Sequence, residues 1–253
     1  MKLSNETKYK LRELKLPEVI DFIESNATNQ SFLELSFENQ LELMVDQILS
    51  IKQANRIKKY IRGAKFSISN AVLEDINYES RNLNKREILS LGSNAYIEKN
   101  INLIISGPTG CGKTYLACAL GNNACRSLIR TCYVRMPTLL ETVENAKLSN
   151  RLTNYIAKYG NYDLLIIDEW LLRKINNNEI NILLEILEKR INKTTIFCTQ
   201  YDVGDWIYNM KETPVSEAII SRVIDCSIKI SLGNTNMRAI KGTKTLKEYN
   251  NSI

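Results

Sequence analysis

Over the first 68 residues apolar side chains recur every three to four positions, whereas from residue 101 onward they come in short unbroken runs separated by helical stretches. The segment "LRELKLPEVIDFIES" carries Leu11, Leu14, Leu16, Val19, Ile20 and Ile23 at helical spacing around Pro17, which predicts a short helix, a break and a second helix. In "SFENQLELMVDQILSIKQANRIKKYIRGAKF", Ser36 is placed to cap a helix that runs to Gly63. Leu41, Met44, Val45, Ile48, Ile51 and Ile57 form its apolar stripe. A loop follows, with helices expected at about 85–91 and 96–99.

The later runs 101–106, 131–135, 163–168, 194–199 and 226–231 are nearly continuous in apolar character, as strands of a parallel sheet covered on both faces are. Helical patterns at about 113–127, 137–158, 177–191 and 214–224 separate them. Alternation of this kind predicts a three-layer α/β domain with right-handed crossovers and a parallel five-stranded sheet between helices. The change of pattern suggests two domains, a helical one at 1–68 and an α/β one at 69–253.

Composition narrows the chemistry. At 253 residues, 44% hydrophobic and 25% charged, the chain can bury a large core. It has no apolar run of the roughly 20 residues that span a bilayer, and residues 1–16 are too charged for a secretory signal, so a cytoplasmic protein is expected. Histidine is absent, which excludes histidine metal sites and Ser/His or Cys/His catalysis. Of six cysteines, Cys111, Cys118, Cys125 and Cys132 stand seven apart with no CxxC pair, a spacing that suits small buried side chains better than a metal site or disulfides. The net charge of +6 is modest, but between Ser50 and Phe66 it is concentrated in Lys52, Arg56, Lys58, Lys59, Arg62 and Lys65 with no acidic residue. Such a patch suits a phosphate backbone; it also suits a merely solvated helix face.

The strongest motif is "GPTGCGKT": Gly107, Pro108, Thr109, Gly110, Cys111, Gly112, Lys113 and Thr114, followed by Tyr115. It fits GxxxxGK[ST] between an expected strand and an expected helix, the context in which backbone amides and a helix N-terminus cradle phosphates. Lys113 is expected to reach the β- and γ-phosphates of ATP, and Thr114 to ligate Mg²⁺. The strand "LLIIDE" then ends in Asp168 and Glu169; Asp168 can hold Mg²⁺ through water and Glu169 can polarise an attacking water. This acid pair argues against a small-molecule kinase. A GTPase would present Asn-Lys-x-Asp for guanine, and "NKTT" at 192–195 lacks the aspartate. Thr199 and Gln200 end the fourth strand and emerge beside the loop if that strand neighbours the first. Thr199 then either senses the γ-phosphate or satisfies strand-end backbone groups. Arg222, near the end of a helix, either reaches a neighbouring subunit's γ-phosphate or is a cation favoured by the helix dipole.

With these motifs and "LRELKLPEVIDFIE", "LSFENQLELMVDQ", "RGAKF", "VLEDINY", "SEAIISRVI" and "NMR" in order, the chain resembles the IstB-like AAA+ ATPases. These are insertion-sequence transposition helpers close to the DnaC-type helicase loaders. The resemblance implies an ATPase that oligomerises on double-stranded DNA and presents it to a partner transposase. A replicative helicase is the partner if the chain is instead a loader. It implies that Lys113 and Thr114 bind ATP and Mg²⁺, Asp168 and Glu169 support hydrolysis, Thr199 is the sensor and Arg222 the finger acting in trans. Lys147 and Arg151 fall in a region that such ATPases lay along DNA, though a solvated helix face is equally compatible. The segment after the fifth strand is too short for the helical lid of larger AAA+ proteins, and it contains Arg238, a candidate second sensor. Where relatives carry a Gly-Tyr-Leu-Pro-like stretch, this chain has "WLLRKI" from Trp170. A non-hydrolysing nucleotide-binding adaptor is the remote alternative, disfavoured by the intact Lys113, Asp168 and Glu169.

Overall fold

A computed structural model describes residues 3–81, 83–237 and 239. It divides into two compact units, Met1–Lys58 and Lys59–Ile253. The first is helical, built of α1 (Asn5–Glu13), α2 (Pro17–Ser25), α3 (Gln30–Leu33) and most of α4 (Phe37–Ala64). Pro17 sits in the first turn of α2, where its missing N–H has no helical partner to lose. The Asn39 amide donates to Ser36 Oγ at 3.3 Å, so Ser36 caps α4. Ile20, Phe22 and Phe32 are buried, the two rings edge to face at 5.5 Å.

The apolar stripe expected to bury α4 does not do so: Leu41, Val45 and Ile51 are exposed, together with Phe37, Leu43 and Leu49. The reason is length. The 28 residues of α4 extend about 42 Å, whereas α1 and α2 have nine residues each and cannot cover it.

The second unit begins inside α4. Ala64 and Phe66 are buried in its core, and Tyr60 and Ile61 pack against it, so the compact units part at 58/59, whereas the change of pattern suggested 68/69. There follow α5 (Lys85–Leu91), α6 (Ala95–Glu98), β1 (Asn102–Ser106), α7 (Lys113–Arg126), β2 (Thr131–Arg135), α8 (Met136–Leu148), α9 (Leu152–Gly160) and β3 (Leu164–Trp170). The chain continues through α10 (Asn177–Glu188), β4 (Thr194–Thr199), α11 (Trp206–Asn209), α12 (Pro214–Ile224) and β5 (Ser227–Ser231). Among the described residues the strands form one parallel sheet in the order β2-β3-β4-β1-β5.

One face of the sheet packs on α7 around Leu116, Leu120 and Phe66. Gly121 permits that layer: a Cβ there would stand 2.5 Å from the Phe66 ring and 2.7 Å from Ile166. The other face packs on α8, α9, α10 and α12. Leu164 to Ile167 and the whole of β4 are buried, as continuous apolar runs predict, but β5 is an edge strand with Ile228 and Lys229 exposed. The helix expected over 137–158 is broken by Asn150, which takes a left-handed backbone (φ 55°) between α8 and α9. Cys111, Cys118, Cys125, Cys132 and Cys198 are buried as small apolar side chains, whereas Cys226 is exposed. Cys118 and Cys125 lie in the α7 core, and burial pushes the Cys118 thiol up to about 11.

Arg190, just after α10, is 4% exposed at the end of the sheet where the strands start. Its Nε donates to Thr195 Oγ1 at 2.8 Å, its Nη1 to the Tyr159 and Tyr162 carbonyls at 2.9 and 2.8 Å, and its Nη2 to the Thr194 carbonyl. Burial lowers its pKa to about 10, so the guanidinium stays charged at neutral pH.

Candidate nucleotide site

At the opposite end of the sheet, β1 runs directly into the loop 107–112 and α7 begins at Lys113. The loop turns at Gly107 (φ 147°), Gly110 (φ 85°) and Gly112 (φ 103°), backbone conformations that L side chains avoid. Lys113, only 9% exposed, donates from Nζ to the Gly107 and Pro108 carbonyls at 2.6 and 2.9 Å. Its ammonium therefore lies within the loop's curve, where a phosphate can take over both bonds.

Because β4 pairs with β1 and β3 with β4, the ends of all three strands meet here: Ser106 lies opposite Thr199, and Arg135 of β2 opposite Asp168. Asp168 is buried and crowded with donors. Its Oδ2 accepts from Thr114 Oγ1 at 2.7 Å and from the Tyr133 hydroxyl at 2.8 Å, and its Oδ1 from the Glu169 amide at 2.9 Å. Burial and this carboxylate push the Tyr133 phenol well above its ordinary pKa, so it remains a donor.

β3 runs two residues beyond the stretch expected from the sequence because a bulge sits at the acid pair. Ile167 pairs with Phe197 and Trp170 with Thr199, leaving Asp168 and Glu169 opposite the single Cys198. Glu169 takes a left-handed backbone (φ 58°), a strain of about 1 kcal/mol for a non-glycine residue. The bulge turns the two carboxylates apart. Glu169 Oε1 accepts from Arg135 Nη2 at 2.7 Å, while Oε2 is buried with no hydrogen-bond partner among the described residues. Trp170, where "WLLRKI" begins, points into the core, 4.7 Å from Phe197 and 5.8 Å from Trp206 between ring centroids.

The loop with Lys113 and Thr114, and Asp168, Glu169 and Trp170, line a cleft of about 280 Å³ with Ile68, Arg81, Tyr115, Cys198, Gln200 and Met237. Gln200 Oε1 accepts from Thr109 Oγ1 at 2.9 Å. Thr199 is buried and is not part of the cleft wall; its hydroxyl donates to the Tyr201 carbonyl at 3.3 Å and accepts from the Tyr201 amide at 3.1 Å. Arg222 is at the other end of the sheet, exposed, 3.3 Å from Glu188, in a hollow shared with Asn102 and Thr195 at the starts of β1 and β4. Five strand residues, roughly 16 Å, separate that end from the loop.

Of the residues read as DNA contacts, Lys52, Arg56, Lys58, Lys59 and Arg62 are exposed on α4, and Lys65 follows its end. Lys52, Arg56 and Lys59 share a helix face by their spacing. Lys147 is exposed at the end of α8 and donates to Asn178 Oδ1 at 2.9 Å; Arg151 is exposed at the start of α9. Arg238 lies outside the described residues, as does most of the segment on which the absence of a lid was expected. Arg81, Tyr133 and Arg135 were not read as site residues from the sequence. For the latter two a signal existed, since β2 ends at 135 beside the acid-bearing strand.

The oxygen donors of Thr114 and Asp168, with room for waters and phosphate oxygens in the cleft, suit a hard cation such as Mg²⁺. A phosphate-cradling loop, a lysine inside its curve and paired acids at the adjoining strand ends form an arrangement that can accept the phosphates of a nucleotide. Residues 9–245 match the family described as IstB-like ATP binding protein.

The chain belongs to the IstB-like ATP-binding family.

This IstB-like chain is 34% identical to an insertion-sequence ATP-binding protein of Sinorhizobium fredii over 233 residues, 91% of this chain and 94% of that protein. It is 32% identical to the insertion sequence IS1162 ATP-binding protein of Pseudomonas fluorescens over 200 residues, 78% of this chain and 87% of that one. Among solved structures it resembles the DnaC helicase loader, with a TM-score of 0.57 at 19% identity over 65% of this chain and 97% of that one. AMPPCP-bound DnaA from Aquifex aeolicus is similar with a TM-score of 0.59 at 19% identity, over 74% of this chain and 57% of DnaA's. This chain thus spans a little over half of that initiator. The likeness establishes an AAA+ fold: a parallel five-stranded sheet between helices, preceded by a helical region. Among the described residues no helix is long and apolar enough to cross a membrane.

Proposed function

We propose that this IstB-like protein is a Mg²⁺-dependent ATPase that assembles on double-stranded DNA when it binds ATP and then recruits or stimulates a partner transposase, hydrolysis ending the assembly. The observation that carries the reading is the cluster of Thr114, Tyr133 and Asp168 against the loop, with Glu169 Oε2 buried beside it and unpartnered among the described residues. An unpaired buried carboxylate oxygen is costly unless a ligand completes it, and a water in line with the γ-phosphate is such a ligand.

In this reading Lys113 exchanges the Gly107 and Pro108 carbonyls for phosphate oxygens, while loop amides and the N-terminus of α7 hold the rest of the triphosphate. Thr114 and Asp168 would hold Mg²⁺, which would supply positive charge against the phosphates. Glu169 orients and polarises the attacking water once its grip on Arg135 loosens. Gln200, through Thr109, and Thr199, through the turn it caps, report on the γ-phosphate position. Arg222 is too far from its own site to take part there. Its exposed position at the other end of the sheet supports a role on a neighbouring subunit's phosphate, and hence oligomerisation.

The basic face of α4 supports contact with DNA phosphates, which position the protein without reading sequence. Lys147 and Arg151 are further candidates. Uncovered Phe37, Leu41, Val45 and Leu49 in the first unit support contact with a protein partner.

The test is Glu169→Gln with ATP and long duplex DNA. Turnover should fall about 100-fold or more while ATP binding persists, and the variant should stay on DNA after the wild type has released it. Undiminished turnover in this variant removes the hydrolytic assignment. ATP-dependent capture of a replicative helicase, without duplex binding, replaces the transposition reading with helicase loading.

A further inference from the structure

Arg81, at the end of a short 3₁₀ turn (Glu79–Arg81), is 6% exposed, and its Nε and Nη1 have no hydrogen-bond partner among the described residues. The guanidinium lies against the loop. A Cβ built on Gly112 would stand 2.9 Å from Arg81 Nε and 3.0 Å from Cζ and Nη2. It also stands 5.7 Å from the centre of the Tyr115 ring, one helical residue beyond Thr114.

A buried cation in this position is doubly unfavourable. Its Nε and Nη1 have lost water without gaining an acceptor among the described residues, and it faces the positive end of α7 with the Lys113 ammonium in the same cleft. The desolvation is strong enough to lower its pKa from the ordinary arginine value. The Tyr115 ring offsets only part of this. The backbone holds Arg81 there nonetheless, because its carbonyl accepts from the Gly233 amide at 2.8 Å and ties the 79–81 turn to the segment after β5. What would satisfy the guanidinium is an anion at the loop, and its fork geometry matches two phosphate oxygens.

We propose that Arg81 binds the phosphates of the nucleotide directly, as a second buried cation across the loop from the Lys113 role. The proposal rests on the nucleotide-site reading above. It adds a contact from outside the glycine-rich motif, 112 − 81 = 31 residues before Gly112, and it makes the 79–81 turn sensitive to whether phosphate is bound. Gly112 is then required twice over, for its φ of 103° and for the close approach of the guanidinium.

The experiment compares wild type, Arg81→Gln and Arg81→Lys by calorimetric titration with ADP, GDP and CDP, and by thermal unfolding without nucleotide. Loss of charge-assisted hydrogen bonds predicts affinity about 10- to 100-fold lower for Arg81→Gln, by the same factor for each base, with Arg81→Lys in between. Removing an unpaired buried charge predicts that Arg81→Gln melts about 2–4 °C higher than wild type without nucleotide. A structural arginine would do the reverse, so a lower melting temperature overturns the proposal, as does wild-type affinity in Arg81→Gln. A loss confined to ADP overturns it in favour of stacking on the base. Failure of the wild type to bind any of the three overturns both this inference and the nucleotide site itself.

Discussion

Arg190 and Arg81 occupy opposite ends of the same sheet and are almost equally buried, at 4% and 6% exposure. Arg190 reaches three backbone carbonyls and the Thr195 hydroxyl, and so joins the starts of β4 and the end of α9 into one rigid corner. Arg81 reaches no acceptor with Nε or Nη1 among the described residues. Burial alone therefore does not separate a structural cation from a functional one. The difference is whether the protein itself supplies the acceptors, because a desolvated guanidinium without them is tolerated only where a ligand completes it.

The same contrast organises what mutation should do at each end. The largest expected effect is a crossing between them. Arg222→Ala should lower turnover of the assembled protein on the order of 1000-fold and leave ATP binding by the isolated subunit within about twofold, since an arginine supplied in trans acts on the transition state. Mixing Arg222→Ala with Lys113→Ala should restore turnover, because a Lys113→Ala subunit can lend its Arg222 to an intact loop. A mixture as inactive as its parts would remove the trans assignment.

Next comes Arg190→Met. It strands the Tyr159, Tyr162 and Thr194 carbonyls, and denaturant unfolding should show a loss of about 3–5 kcal/mol with nucleotide affinity unchanged in the folded fraction. A loss below 1 kcal/mol would erase the distinction drawn between the two arginines.

The smallest effect concerns an exposed arginine of the nucleotide end. Arg135 holds Glu169 Oε1 in a half-exposed ion pair, of a kind worth no more than about 1 kcal/mol. Arg135→Ala should therefore raise turnover in the absence of DNA by at most about fivefold, read in steady-state phosphate release. A fall instead would mean that Arg135 orients Glu169 for catalysis rather than restraining it.

Much of the fold was legible in the residue pattern. Pro17 and Ser36 marked helix starts by their own chemistry, and the runs at 131–135 and 194–199 are strands at those very residues. Periodicity overreached where it implied burial. The stripe of α4 repeats at helical spacing but outruns the helices beside it, and β5 reads like its neighbours yet lies at an edge. Neither coverage nor strand order is a local property. The interruption at Asn150 and the bulge at Asp168 and Glu169 likewise depend on left-handed backbone that the sequence does not advertise.

Within the candidate site, the parts that the sequence by itself determined are contiguous. The glycine-rich loop with Lys113 and Thr114, and the acid pair closing an apolar strand, are legible because turn geometry and strand termination are set by adjacent residues. What only the tertiary structure decided are contacts between residues far apart along the chain. Tyr133 meets Asp168, Arg135 meets Glu169 and Arg81 meets Gly112 because parallel pairing brings the ends of β2, β3 and β1 together and the segment after β5 pins the 79–81 turn beside them. Arg81 and Arg190 are the same letter in the sequence. The physical reason they differ is that hydrogen-bond acceptors are contributed by the fold, and only the folded chain shows that those around Arg190 are supplied while Arg81 Nε and Nη1 meet none among the described residues.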